Sequence, residues 1–529
     1  MDNSAQKRLV LALALAFIFF IAYDHFYLSK IREAQALEAN KTALQTQNAA
    51  PKVENSNSQS SATPAPTTSV VVKEPIVKIA TQKADLSIDE LGRINSFVLK
   101  EEKYKNDNGE AINLIKADMS PLPLEIRFED ANLNNLAFAT PYTATSSNLD
   151  ATNGSANLVL TQNLGDIVVT KNLTFYPNGN YDIKVNLSKN AVFYISPGSR
   201  PSEVIDGYTI HGALVRNADE SLAIFEDGDV KSNEVINNAN IAAVSDRYYT
   251  KFFYTNGNDL NVVLTSKDDI TQVFAKSNGE FNAGGYIGPK EYKTLNSIDE
   301  KLTNVIEYGW FTFIARPMFK FLSALHDYIG NWGWAIVILT LIIRLILFPL
   351  SYKGMMSMNK LKDLAPKMKE LQEKYKNEPQ KLQAQMMQLY KKHGANPMGG
   401  CLPILLQIPV FFAIYRVLLN AIELKGAPWV LWIQDLSIKD PFFILPITMG
   451  ILMFLQQKIT PTTFTDPMQE KVMKFLPLIF TFLFATFPAG LTLYWTINNM
   501  ASIVQQYAIN KLFDKQKKLA AEKHNEDRS

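Results

Sequence analysis

Residues 334–350 decide the fold class: they read WAIVILTLIIRLILFPL, and Arg344 is the one charged side chain among them. As a helix rising 1.5 Å per residue, this stretch is about 25 Å long, close to the ~30 Å hydrocarbon core of a bilayer. The stretch therefore predicts a membrane-spanning helix. We expect a membrane protein even though the mean hydropathy of the whole chain, −0.06, is ordinary.

Further apolar stretches extend this pattern at residues 9–23, 402–421, 441–457 and 475–510. The last has no charged residue and would be about 54 Å long as one helix, so Phe-Pro-Ala-Gly at residues 487–490 predicts a turn between two spans. Residues 9–23 are short enough for a signal peptide, but no small-x-small cleavage site follows them. The predicted fold is an α-helical six-span bundle, made of an N-terminal transmembrane anchor (1–28) and a five-span core (331–510).

The distribution of charge predicts the orientation of these spans. Residues 29–310 hold 26 Lys and Arg against 35 Asp and Glu, a net charge of −9, whereas the rest of the chain holds 27 against 16, a net charge of +11. The segment 351–399 alone has ten Lys and four acidic residues. Because cytoplasmic loops carry the excess of Lys and Arg, we expect this segment and both termini in the cytoplasm and residues 29–330 outside.

The external residues divide into three predicted segments. Residues 29–75 are rich in Asn, Gln, Ser, Thr, Ala and Pro, a composition typical of a disordered linker. Residues 76–300 contain short alternating runs and a hairpin signal, Pro-Asn-Gly-Asn at 177–180, so they predict an all-β domain built as a large sandwich. Apolar residues three or four apart predict an interfacial amphipathic helix at 301–330.

The residues do not favour enzymatic chemistry. His211 and the scattered carboxylates of the β domain have no catalytic spacing, and the chain shows no phosphate loop, metal cluster or nucleophile–base arrangement. A single Cys excludes a disulfide scaffold and a multi-Cys metal site, and the overall charge of +2 argues against a DNA-binding protein. We expect no enzyme, no cofactor, no metal and no DNA partner.

The Lys-rich segment predicts a two-helix antiparallel hairpin within residues 351–398, broken at Asn377-Glu378-Pro379. Its apolar residues, three and four apart on each side of the break, are Leu361, Leu364, Met368, Leu371, Tyr375, Leu382, Met386 and Leu389. The hairpin could simply connect spans, or its Lys residues could contact anionic lipid or ribosomal RNA. The basic cytoplasmic tail, 511–529, adds six Lys and Arg.

Arg344 is the most informative candidate site residue. It lies about 13 Å along the helix from Lys353 at the cytoplasmic flank. An Arg near the middle of a span costs about 2.5–3.5 kcal/mol on insertion scales, and it cannot lose its proton to avoid that cost. Because no Asp or Glu lies in any predicted span, a water-filled cavity is favoured, with carbonyl groups at a packed interface as the alternative. The candidate polar partners are Thr340, Gln407, Tyr494, Asn498, Asn499, Gln505 and Gln506. Arg416, near the outer end of its span, is expected to reach water by snorkelling.

Several ordered motifs in the second half of the chain resemble one known family. They are Thr340 to Arg344 with Pro349-Leu350, Asn396 to Pro403 (NPMGGCLP), Gln407-Ile408-Pro409, Pro428 to Leu436, Pro461-Thr462-Thr463 with Asp466 to Gln469, and Phe487 to Leu491 (FPAGL). On these residues the chain resembles the YidC/Oxa/Alb membrane protein insertases, densely over residues 305–510. The anchor and the large external domain resemble the layout of the Gram-negative form.

The resemblance implies an insertase and chaperone of the cell inner membrane that handles nascent membrane-protein clients, alone or with the Sec translocon, and uses no cofactor. In this family five core spans enclose a hydrophilic groove, and an arginine in the groove attracts the acidic external tail of the client. The resemblance also implies that the external domain is a periplasmic super-sandwich. The Lys-rich hairpin and the basic tail indicate the ribosome and membrane lipids as further partners.

The resemblance places these roles on particular residues. Arg344 would supply the groove charge, Thr340, Gln407, Tyr494 and Trp495 would line the groove, and Ile408, Phe411 and Leu483 would form the hydrophobic face that contacts the client. Relatives often carry Tyr where this chain has Trp495, a change that keeps the bulk and loses a phenol hydrogen bond.

Two other functions stay open on the residues alone. A small-solute or ion transporter would use Arg344 as an intramembrane anion site, but such transporters usually contain an internal repeat, and the sequence shows none. A membrane-tethered enzyme or binding module would use the spans only as an anchor for the β domain.

Overall fold

The computed structural model describes residues 74–106, 108–116, 119–202, 209, 211–257, 259–376, 378–395, 402–460 and 467–526. The predicted anchor, the predicted linker up to residue 73, and the motif residues 396–401 and 461–466 lie outside the described residues. The chain divides into two compact units between Ile306 and Glu307. We call the described residues before this point the β unit and those after it the helical unit.

The β unit is built from strands in two sheets. The strands are β1 (Val77–Thr81), β2 (Ala84–Ile88), β3 (Ile94–Leu99), β4 (Ile126–Phe128), β5 (Thr143–Ala144), β6 (Asn148–Ala151), β7 (Ala156–Asn163), β8 (Val168–Phe175), β9 (Asn180–Leu187), β10 (Val192–Ile195), β11 (Gly212–Arg216), β12 (Leu222–Glu226), β13 (Glu234–Ala239), β14 (Ile241–Ser245), β15 (Tyr249–Tyr254), β16 (Leu260–Lys267), β17 (Ile270–Asn278) and β18 (Glu280–Pro289). A four-stranded sheet has the order β3-β2-β1-β6, and a 14-stranded sheet has the main path β12-β11-β14-β15-β18-β9-β8-β7-β5.

Alternating apolar residues explain the long central strands. In β8, buried and more exposed residues alternate along the whole strand, as expected when one face packs on a core. β8 and β9 pair in antiparallel register with Phe175 opposite Tyr181, and Gly179 adopts a φ of 85° in the turn between them. The hairpin predicted at residues 177–180 is therefore confirmed.

Two helices correct the all-β expectation for this unit. α1 (Ala131–Ala139) is capped by Asp130, whose carboxylate accepts a hydrogen bond from the backbone N–H of Leu133 at 2.8 Å, and α2 (Tyr292–Ile298) follows the last strand. A helix of nine residues shows too little periodicity to stand out among alternating strands. The unit is thus β-rich rather than all-β.

A cluster of ion pairs in the β unit is centred on a buried carboxylate. Glu125 is 2% exposed, and its two carboxylate oxygens accept from Arg127 at 2.8 Å and from Arg93 at 3.1 Å. Arg93 also pairs with Asp89 at 2.7 Å. Mutual attraction in this poorly solvated place offsets the desolvation of the charges, so each member depends on the others.

Lys171 lies beside this cluster and is fully buried. Its Nζ donates to the carbonyl oxygens of Gly92 and Leu124, each at 2.9 Å, and lies 4.5 Å from the ring centre of Tyr142. Burial lowers the pKa of Lys171 to about 7, against the attraction of the nearby Asp89 carboxylate. The folded chain thus binds the proton of this amino group less tightly than the unfolded chain does.

This depressed pKa predicts that the β unit becomes more stable as the pH rises from 7 to 9.5. In that range the unfolded lysine, with a pKa of about 10.4, keeps its proton while the folded one loses it, so the free energy of unfolding rises by up to about 1.4 kcal/mol per pH unit. Urea midpoints of the β unit, followed by pulse proteolysis of the full chain at several pH values, measure this slope. Lys171→Met should flatten it, and a wild-type midpoint that falls over this range would contradict the prediction.

The helical unit consists of helices joined by short segments. They are α3 (Thr312–Ile329), α4 (Trp332–Ile346), α5 (Phe348–Lys374), α6 (Pro379–Lys392), α7 (Leu402–Asn420), α8 (Ile444–Ile459), α9 (Pro467–Phe484) and α10 (Ala489–Glu526). Within the described part of the chain, no single helix combines the length and apolarity needed to cross a membrane, whereas α4 and α5 meet that requirement as a pair bent by 62°.

Two segments differ from their predicted limits. The region predicted as one interfacial helix at 301–330 contains 3₁₀ turns at Glu300–Val305 and Gly309–Phe311, and α3 begins only after the second of them. At the other end of the unit, α10 runs past the predicted end of the last span at residue 510 and continues through the predicted tail to Glu526. Apolar patterning locates a span but not the helical turns that extend beyond it.

Close contacts hold the helices of this unit together. A Cβ on Gly450 of α8 would collide with the side chain of Thr481 of α9, so glycine lets these two helices approach. Pro477 interrupts the hydrogen bonding of α9, and the carbonyl oxygen of Met473 that it leaves free accepts from Gln457 Nε2 of α8 at 2.6 Å. The proline in this helix is therefore compensated by its neighbour.

α5 and α6 lie side by side as a hairpin. Leu364 and Met368 are buried in the seam between them, and α5 also contacts the distal part of α10. There Asn359 Nδ2 donates to Asn510 Oδ1 at 3.0 Å, and Lys517 pairs with Asp363 at 2.8 Å. Asn510 Nδ2 in turn donates to the carbonyl oxygen of Ile459, the last residue of α8, at 3.1 Å, so α10 joins the hairpin to the end of α8.

Candidate functional site

A recess in the helical unit contains Arg344 in its wall. It is a shallow recess between α4, the start of α5, α7 and α10. Its lining residues are Ile343, Arg344, Leu347, Leu350, Ser351, Gln407, Val410, Tyr494 and Asn498. The recess therefore presents one cation and a few neutral polar groups in an apolar surround.

Arg344 is held by oxygen atoms of α10. Its Nε donates to Asn498 Oδ1 at 2.7 Å, and one terminal nitrogen donates to the backbone carbonyl oxygen of Asn498 at 3.1 Å and to Ser502 Oγ. Asn498 and Ser502 are themselves buried, 5% and 2% exposed. The spacing of four residues along α10 places both side chains on one face, toward the arginine.

These partners leave the charge of Arg344 uncompensated. Within the part of the chain that the structure describes, no carboxylate forms an ion pair with Arg344. The second terminal nitrogen, Nη1, has no acceptor there either. Neutral oxygens of α10 orient the guanidinium, and the recess lies beside it. A cation with a free donor in such a place attracts an anionic group more strongly than it would in bulk water.

The predicted lining residues divide into two groups. Gln407 and Tyr494 lie in the wall of the recess together with Arg344. Thr340 does not: it is 1% exposed, and its hydroxyl donates to the carbonyl oxygen of Ile336 in its own helix at 2.7 Å. Trp495 also lies outside the recess wall, because it is one residue, or about 100°, further round α10 than Tyr494.

Trp495 belongs instead to an aromatic cluster. Its ring centre lies 4.6 Å from that of Phe411 in α7 and 6.1 Å and 5.3 Å from those of Phe480 and Phe484 in α9. These rings bridge α7 and α9 beside α10. Phe411, predicted as a client-contact residue, thus meets Trp495 directly.

Exposed apolar side chains follow the outer faces of α7 and α9. On α7, Ile408 and Phe412 are 43% and 45% exposed. On α9 the exposed residues, spaced three and four apart, are Val472, Phe475, Leu478 and Phe482. Leu483 is half-buried beside them. Of the predicted hydrophobic face, Ile408 is therefore the member most open to a passing apolar segment.

Two stretches of the chain match described protein families. Residues 324–517 match the family described as 60Kd inner membrane protein, and residues 238–321 match the YidC periplasmic domain. A membrane protein insertase YidC from Campylobacter jejuni is 57% identical over 98% of this chain and 98% of its own. The chain belongs to the YidC family of membrane protein insertases.

Other members of the YidC family agree with this assignment. The insertase of Wolinella succinogenes is 49% identical over 98% of this chain and 97% of its own, and that of Helicobacter pylori is 46% identical over 99% of both. The family and the function predicted from the motifs are therefore confirmed. The chain is an inner-membrane insertase of the YidC family with a β-rich periplasmic domain and a helical C-terminal region.

Sequence reasoning missed two polar groups at this YidC-family recess. Ser351, which lines it, follows the bend between α4 and α5, and Ser502 bonds Arg344 from α10. The spacing of four from Asn498 to Ser502 was the signal that could have identified the second. Arg416 also differs from expectation, since it pairs with Glu307 at 3.5 Å and has a carboxylate partner as well as access to the surface.

Proposed function

We propose that this chain inserts nascent inner-membrane proteins, and assists their folding, through the recess around Arg344. The observation that carries the proposal is the guanidinium itself, which neutral oxygens hold in place and no described carboxylate neutralises. An acidic segment of a client supplies the missing counter-charge. Because the recess presents polar groups, it also lowers the cost of moving a hydrophilic tail into the bilayer.

The client's apolar span would leave the recess along α7 and α9. Ile408, Phe411 and Leu483 offer it an apolar surface next to Gln407 and Tyr494, so the polar and apolar parts of a client meet different faces. In this proposal Trp495 packs between the two helices and joins them, and Thr340 supports α4 from within instead of touching the client. Neither a cofactor nor a metal takes part, and the chain acts without enzymatic chemistry.

We further propose the topology predicted from charge. The chain crosses the membrane six times, both termini are cytoplasmic, and residues 29–330 lie in the periplasm, where residues 76–300 form a super-sandwich after an anchor (1–28) and a linker (29–75). The two sheets of the β unit support a sandwich. The bent α4–α5 pair supports a span that turns into the cytoplasmic hairpin 351–398 at its inner end.

The proposed partners follow from the same surfaces. The Lys-rich hairpin and the basic residues of 511–529 suit the ribosome and anionic lipid headgroups, because both present phosphates. The Sec translocon is the proposed partner for larger clients, and nascent membrane proteins are the clients in every case.

Deletion of residues 80–290 tests where the activity lies. Since the recess lies wholly in the helical unit, vesicles with the deleted chain are expected to insert a single-span client with a short acidic tail at least half as well as vesicles with the full chain. Protease protection of the client tail measures insertion. Matched vesicles without protein give the background.

The same vesicles separate insertion from the rival functions. A transporter would release a trapped small anion without promoting client insertion, whereas the proposed insertase promotes insertion without anion release. Loss of all activity on deletion, with the helical unit still folded by circular dichroism, would favour a tethered β-domain function.

A further inference from the structure

The seam between α7 and α9 contains the indole of Trp495. Phe411 lies on the α7 side of this ring, 4.6 Å between centres and at 78°, while Phe480 stacks on it from the α9 side at 17°. α9 packs against α8, and α7 against α3, so the aromatic rings bridge the space between α7 and α9. Exposed apolar side chains lie on these same two helices, at Ile408 and Phe412 of α7 and at Phe475, Leu478 and Phe482 of α9.

Two buried hydrogen-bond donors on the Trp495 face of α10 have no acceptor among the described residues. Trp495 Nε1 is inaccessible to solvent and has no partner among the described residues. Asn499, one turn along the same face of α10, is 6% exposed, and its Nδ2 likewise has no partner in that part of the chain. Buried polar groups are nearly always paired, so two adjacent unpaired donors are an unusual feature.

Both unpaired groups, the indole N–H and the amide NH₂, are hydrogen-bond donors only. An indole N–H can only donate, and the amide nitrogen of asparagine offers two N–H groups and no lone pair, so the seam calls for an oxygen acceptor. The pair is also separate from the arginine site, because Tyr494, Asn498 and Ser502 follow the neighbouring face of α10. An acceptor at the seam would come from a segment lying between α7 and α9.

We propose that Trp495 Nε1 and Asn499 Nδ2 form a second polar subsite, which binds a side-chain oxygen within the client's membrane-spanning segment. The subsite rests on the proposed function, since only an inserting client brings such a segment to the seam. The backbone carbonyls of a helical span are already bonded within the helix, so its free acceptors are the oxygens of residues such as Asn, Gln and Ser. The subsite shelters a polar residue of the span until the span finds its partners in the folded client.

A pair of clients tests this subsite. Both carry the same short acidic tail, and their 20-residue Leu/Ala spans differ only by one central Asn. Full-length chains with Trp495→Phe or Asn499→Leu lose a donor, while Trp495→Tyr and Asn499→Gln keep one and serve as matched controls. The measured quantity is the ratio of Asn-span to plain-span insertion in vesicles. We expect Trp495→Phe and Asn499→Leu to lower this ratio about threefold to tenfold, the strength of a hydrogen bond between membrane helices, and the two controls to stay near wild type.

Each of the other possible results points to a different conclusion about the subsite or about the proposed function. An unchanged ratio in Trp495→Phe and Asn499→Leu overturns the subsite, and so does an equal loss of both clients, which would mean that the residues only support the fold or contact lipid. Arg344→Ala should lower insertion of both clients and leave the ratio unchanged, because it acts on the shared tail. If neither client depends on the chain at all, the proposed function itself fails.

Discussion

Arg344→Ala is expected to lower the insertion of a client with a short acidic tail about 10- to 100-fold, since a hydrogen bond to a charged group contributes about 1.5–3 kcal/mol. The substitution removes the cation of the recess and leaves Asn498 and Ser502 with each other and with water. Arg344→Lys keeps the charge, and its ammonium can still donate to oxygens of α10, so we expect it to keep most of the activity.

Arg344→Gln provides the matched neutral control. Glutamine can donate to Asn498 but carries no charge, so it separates the positioning of a side chain from the attraction of an acidic tail. Protease protection of the tail, compared between an acidic tail and its Asn-substituted form, measures the effect. Equal insertion by the Ala, Gln and Lys variants would show that charge at residue 344 does not drive insertion in this protein.

Glu125→Ala is expected to destabilise the β unit by about 3–5 kcal/mol, because it leaves a buried charge unpaired. Arg127, 6% exposed, would lose both its ion pair and the hydrogen bond from its Nε at 2.9 Å. Arg93 would keep only Asp89 as a partner. The effect is large because Arg127 is buried and cannot turn to water.

Glu280→Ala is the matched control for this substitution. Glu280 pairs with Lys184 at 3.0 Å, but the two side chains are 60% and 51% exposed, and such surface pairs contribute about 0–1 kcal/mol. Urea midpoints from pulse proteolysis of the full chain measure both variants. Similar midpoints for Glu125→Ala and Glu280→Ala would contradict the buried-network account.

The sequence predicted features that depend on neighbouring residues along the chain. A single charge in an apolar stretch was enough to single out Arg344, and Pro-Asn-Gly-Asn was enough for the hairpin at 177–180. The sheet order was beyond reach, because β18 pairs with β9 and places Tyr286 opposite Asn180, far away in sequence. Such pairing depends on tertiary packing, which local patterns do not contain.

The polar residues of the spans also show which features local sequence predicts and which depend on tertiary packing. Thr340, one turn before Arg344, was predicted beside it in the recess, but a threonine hydroxyl in a helix readily bonds the carbonyl four residues back, as Thr340 does with Ile336. Ser502 makes the same kind of bond to Asn498 and still accepts from Arg344. Which of these hydroxyls meets the arginine depends on how α4 and α10 are rotated against each other, and the sequence does not specify that rotation.

The length of α10 couples events that are distant in space. An unbroken helix transmits tilt and rotation along its axis, and about 18 Å separates Asn498 from Asn510 on this one. One helix, α10, therefore carries both the oxygens that orient Arg344 and the Asn510 amide that connects Asn359 of the hairpin with Ile459. A displacement of the hairpin, or of Lys517, that tilts or rotates α10 would therefore also move the oxygens that hold the guanidinium of Arg344.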